Sequence, residues 1–94
     1  MGKPLRTLIV EDSEDDALLL VNELRRGGYD VTYERVDTRE AMKTALDRQP
    51  WDLILSDHTM PRFSAPGAVR LVHDLGHYIP FIVVSGMSAR WRRQ

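Results

Sequence analysis

Three carboxylates carry the strongest chemical signal in this 94-residue chain. Glu11 and Asp12 follow the apolar run Leu5–Val10, and Asp57 closes a second apolar run that begins at Leu53. If the two runs are adjacent strands, the three acids meet at one sheet end. Like charges held together repel, and a bound cation relieves that repulsion. A hard divalent ion suits such oxygen ligands, and Mg²⁺ needs only one or two carboxylates because it keeps several waters. Glu11 and Asp12 also suit the start of a helix, where the helix dipole favours negative charge. Spacing alone leaves both readings open.

The elements that must position these residues can be read from the pattern. Leu5–Val10 is β-branched and apolar, hence a strand. Ser13 fits a helix N-cap with Asp16 three residues on, an imperfect capping box. Ala17, Leu20, Val21 and Leu24 recur at helical spacing, and Gly27-Gly28 stops that helix. Val31–Val36 alternates as a half-exposed edge strand. Asp37-Thr38 offers a second N-cap, Ala41, Met42, Ala45 and Leu46 form a second helical stripe, and Pro50 ends it. Leu53-Ile54-Leu55 runs as a strand into Ser56 and Asp57. A loop from His58 to Phe63 follows, then a third helix over Ser64–Leu75 closed by Gly76. Phe81–Val84 is a fourth strand, ending at Ser85-Gly86. The order β-α-β-α-β-α-β predicts an α/β fold, a parallel sheet with helices on both faces. Ligands of such sheets sit beyond the carboxyl ends of the strands, which points to residues 11–13, 57–60 and 85–86.

Composition narrows the chemistry. The chain has no cysteine, which excludes disulfides, thiolate metal sites and thiol nucleophiles. Neither a membrane span nor a signal-peptide core is present, so a cytoplasmic setting is expected. Charge is uneven: residues 1–47 hold 7 basic and 11 acidic side chains, residues 48–94 hold 6 and 3. The basic end at Arg90, Arg92 and Arg93 is too short to define a nucleic-acid surface, and Trp91 among them fits a loose terminus better than base stacking. Other constellations fail on inspection. Asp12, Glu14, Asp16 and Glu23 match an EF-hand frame, but Ala17 stands where its glycine belongs. His73 and His77 flank a helix end with Gly76 between them and read as two exposed histidines. Ser56, Asp57 and His58 are sequence neighbours that point to opposite faces of a strand, so they form no triad. No glycine-rich phosphate loop occurs.

Val10-Glu11-Asp12, a strand ending in Asp57, Met60-Pro61 after it, and an apolar strand closing on Ser85-Gly86 together resemble the receiver domain of two-component response regulators. The likeness covers about residues 5–86. It implies a flavodoxin-like, doubly wound sheet of strand order 2-1-3-4. It also implies that Asp57 accepts a phosphoryl group from a phosphohistidine. Glu11 and Asp12 would hold Mg²⁺ with Asp57, Thr59 would add its backbone carbonyl, and Ser85 would hydrogen-bond the phosphoryl oxygens. His58 and Thr59 would tune access and hydrolysis. The implied partner is a histidine kinase or a histidine phosphotransfer protein, with no nucleic acid and no membrane. The module would signal rather than turn over substrate.

The likeness also sets expectations at the chain's end. Members have a fifth strand bearing a lysine, then a fifth helix; residues 87–94 show neither a strand pattern nor a lysine. A receiver-like unit over residues 1–86 with a short basic tail over 87–94 is expected. The fourth strand would then be an exposed apolar edge, and a homo-oligomer through Phe81–Val84 is expected. Residues 62–67 depart from the usual glycine-containing loop of the family. Two rival functions follow: a phosphorylation-independent interaction or dimerisation module, and a small hydrolase using Asp57 as nucleophile. The hydrolase would need a second acid two residues on, where Thr59 stands.

Overall fold

A computed structural model describes residues 2–57 and 65–84. The elements run β1 (Lys3–Val10), α1 (Glu14–Arg26), β2 (Tyr29–Val36), α2 (Arg39–Arg48), β3 (Leu53–Asp57), α3 (Ala65–Asp74) and β4 (Phe81–Val84). All ladders are parallel, and the strand order is β2-β1-β3-β4. This is the expected doubly wound, flavodoxin-like sheet with three helices.

The topology follows from handedness. The chain steps from β1 to β2 in one direction and from β2 past β1 to β3 in the other. Right-handed crossovers then place α1 and α2 on opposite faces. Both faces are filled by alternate residues of the same strands. Ile9, Val31, Leu55 and Val84 pack with Ala17, Leu20 and Val21 of α1. Leu8, Val10, Val36 and Ile54 pack with Met42, Ala45 and Leu46 of α2 and with Ala68, Leu71 and Val72 of α3. β1 and β3 are buried on both sides, which is why they read as unbroken apolar runs.

Local chemistry ends each helix. Ser13 caps α1, its hydroxyl accepting from the Asp16 N–H at 3.2 Å. Thr38 caps α2 in the same way through the Ala41 N–H at 3.1 Å. Gly28 and Gly76 take φ of 99° and 78°, the left-handed region that lets the chain leave α1 and α3. Trp51 is buried and its indole N–H donates to the Ala45 carbonyl at 2.9 Å, satisfying a carbonyl in the last turn of α2.

The strands are pinned at the end opposite the expected ligand site. Arg6 and Asp52 exchange backbone and side-chain bonds: Asp52 N–H to the Arg6 carbonyl at 2.8 Å, and Arg6 N–H to Asp52 Oδ2 at 2.8 Å. The guanidinium forks onto the same carboxylate at 3.2 Å. Hydrogen bonds from the Arg6 side chain and backbone hold the Asp52 carboxyl below its ordinary value.

Three boundaries differ from the sequence reading. β1 and β2 each begin two residues earlier, because Lys3 and Tyr29 pair in register although both are exposed. Ladder bonds do not require an apolar side chain, so hydropathy misses such ends. The third helix begins at Ala65 within the described residues and ends at Asp74. His77 is also partly buried rather than exposed. It lines a shallow recess with His73, Tyr78 and Phe81, where the segment after α3 folds against β4.

Candidate functional site

The register assembles the site. Val10 on β1 pairs with Ser56 on β3, and Asp57 pairs with Val84 on β4. One residue beyond the Val10–Ser56 pair come Glu11 and Asp57. The acidic pair and the third acid therefore share one end of the sheet, at its carboxyl edge. The strand order reverses between β1 and β3, so this is the crevice where open α/β sheets bind ligands.

Glu11 is wholly buried, while Asp12 beside it is exposed. A buried carboxylate costs stability unless donors or a cation compensate it. The β1–α1 turn supplies a donor: the Ser13 N–H reaches Glu11 Oε1 at 3.1 Å. The Glu11 N–H continues the ladder to the Val36 carbonyl at 2.9 Å. Arg35 Nη1 donates to the Glu11 carbonyl at 3.1 Å and lies 3.8 Å from Asp37 Oδ2. Glu14, Asp15 and Asp16 fill the first turn of α1, where the helix dipole favours negative charge. Glu14, Asp15 and Asp16 serve the helix, whereas Glu11 lies before the Ser13 cap, at the end of the strand.

The donor set fits a hard divalent cation. Glu11 and Asp12 offer oxygen ligands only, at a sheet end that the register shares with Asp57. Among the described residues, no three histidine or carboxylate side chains by themselves form a metal-holding group. The Asp57 backbone closes β3, and its side chain lies outside the described residues. Thr59 and Ser85 lie outside the described residues, as do His58 and the whole 87–94 tail.

The sequence reading missed Arg35. It lies on the edge strand beside Glu34, which pairs with Arg48. In sequence it is one more charge in an alternating strand. Only the β1–β2 ladder brings it against the Glu11 carbonyl.

Comparison with known proteins agrees with this architecture. The chain is 31% identical over 88 residues to the chemotaxis protein CheY of Thermotoga maritima, covering 94% of this chain and 71% of that protein. It is 29% identical over 75 residues to a two-component response regulator of Oryza sativa subsp. japonica, covering 80% and 56%. It is 27% identical over 84 residues to the response regulator receiver protein CpdR of Brucella abortus, covering 89% and 68%. No family model matches the chain. A parallel sheet of order β2-β1-β3-β4 with three helices defines a flavodoxin-like α/β module. The chain belongs to the response regulator receiver family.

Proposed function

We propose that this chain is a phosphoacceptor module of a two-component phosphorelay. The observation that carries the reading is the in-register adjacency of β1 and β3, which sets Glu11 and Asp12 beside Asp57 at the carboxyl edge. Asp57 is the acceptor. The P–N bond of a phosphohistidine on a kinase or phosphotransfer protein breaks as a P–O bond forms to an Asp57 carboxylate oxygen. The imidazole leaves with the bonding pair and takes a proton from solvent. Phosphoryl transfer of this kind depends on positioning and on charge cancellation at the equatorial oxygens. Mg²⁺ held by Glu11, Asp12 and the Asp57 and Thr59 oxygens would supply most of that cancellation. Ser85, next in sequence after β4, would donate one hydrogen bond to the transferred group. A histidine kinase or a histidine phosphotransfer protein is the donor this chemistry calls for.

A second reading is phosphorylation-independent self-association through β4. Among the described residues β4 is the last strand of the sheet, and its Ile82 and Val83 are 44% and 45% exposed, one on each face. One experiment separates the two: intact mass after incubation with acetyl phosphate, with and without Mg²⁺, beside Asp57→Ala. A single added phosphoryl group that needs both Mg²⁺ and Asp57 is the expected result. No adduct in a folded sample refutes the phosphoacceptor reading and favours the self-association one.

A further inference from the structure

Arg35 touches the acidic turn in a way that no apolar pattern explains. In a parallel ladder each residue of the pairing strand bonds to two peptides of its neighbour. The Glu11 N–H makes the last such bond on β1, to Val36. β2 ends at Val36, and Thr38 already caps α2. At the point where β2 turns away, the Arg35 guanidinium donates to the Glu11 carbonyl. Asp37, two residues on, lies 3.8 Å from the same guanidinium nitrogen. Both peptide groups of Glu11 are thus tied to β2, one by backbone and one by side chain. The second of them is the Glu11–Asp12 peptide, whose orientation sets the direction in which exposed Asp12 leaves the strand.

We propose that Arg35 is a positioning residue of the cation site: by fixing the Glu11–Asp12 peptide it holds the Asp12 carboxylate in place for a divalent ion. The inference rests on the phosphoacceptor reading. It has a distinctive sign. A guanidinium near a cation site opposes Mg²⁺ by charge, so removing charge alone tightens Mg²⁺ binding. Removing a brace weakens it, and loss of an outer partner of a metal ligand typically costs about 10- to 100-fold in affinity.

The test is Mg²⁺ titration calorimetry on the full chain, with the Asp12 backbone amide resonance followed in parallel. Arg35→Met is expected to weaken Mg²⁺ binding about tenfold, at the low end of that range because Arg35 is partly exposed. It is also expected to shift the Asp12 amide in the Mg²⁺-free protein, since that amide belongs to the braced peptide. Arg35→Lys keeps the charge and one donor, and is expected to recover part of both effects; it also serves if Arg35→Met does not fold. Unchanged or tighter Mg²⁺ binding in the variants overturns the inference, as does an unmoved Asp12 amide. A folded wild-type protein that takes up no Mg²⁺ overturns the cation-site reading itself and the inference with it.

Discussion

Ser13 joins two functions in one residue, and substitution can pull them apart. Its hydroxyl accepts the Asp16 N–H at 3.2 Å and so caps α1. Its backbone N–H donates to the buried Glu11 carboxylate at 3.1 Å and so belongs to the site. Ser13→Ala removes the first and keeps the second. Loss of a hydroxyl N-cap costs about 1 kcal/mol, within a range of roughly 0.5–2. Ser13→Gly costs only a few tenths, because an uncrowded backbone lets water reach the freed N–H. With a urea slope of about 1–2 kcal/mol/M for a chain of this size, Ser13→Ala lowers the denaturation midpoint by about 0.5–1 M. The matching fall in melting temperature is about 4–8 °C. Mg²⁺ affinity, titrated by calorimetry under native conditions, stays at the wild-type value in both variants. Three results would refute this reasoning: Ser13→Ala as stable as wild type, Ser13→Gly as unstable as Ser13→Ala, or loss of Mg²⁺ binding in a folded Ser13→Ala protein.

Two further outcomes follow from contacts away from the site. Trp51→Phe strands the Ala45 carbonyl that the indole N–H now satisfies, so urea unfolding is expected to show a loss of about 1–3 kcal/mol. A loss near zero would mean that water reaches that carbonyl. Asp52 is a carboxyl whose folded pKa is lowered by Arg6 from the ordinary value of 3.8. Its stabilising contribution is therefore complete above that ordinary value and is lost as pH falls through the lower folded one. Wild type is expected to exceed Asp52→Asn slightly in stability near neutral pH. The gap should close in acid and shrink with added salt, because both partners are solvent-exposed. A gap that widens in acid would reverse the assigned sign.

Much of the molecule was legible in residue order. Ser13 and Thr38 announce helix starts, Gly28 and Gly76 announce exits, and unbroken apolar runs announce strands buried on both faces. These are local effects: a hydroxyl reaches an N–H three residues on, and a glycine adopts a left-handed φ wherever it stands. The acid pair after β1 and the acid closing β3 could be found for the same reason, since ligand sites of parallel sheets lie at strand ends. Polar strand ends were not legible. Lys3 and Tyr29 enter the sheet because a partner strand offers ladder bonds at that height, a fact absent from either segment alone.

The family likeness implied that β1 and β3 are neighbours; the tertiary structure decided the register in which they pair. Nothing in Leu5–Val10 or Leu53–Asp57 states the register of that pairing, yet the register alone sets Glu11 level with Asp57. It also decided which acid is buried. Glu11 and Asp12 are equivalent in sequence, but the turn into Ser13 buries one and exposes the other. Arg35 is the clearest instance. Its type predicts a solvated charge on an edge strand, and only the β1–β2 pairing brings it to a carbonyl 24 residues earlier in the chain. Residue order sets what each segment can do by itself; the distances between segments, on which charge, burial and ligation depend, exist only once the sheet has closed.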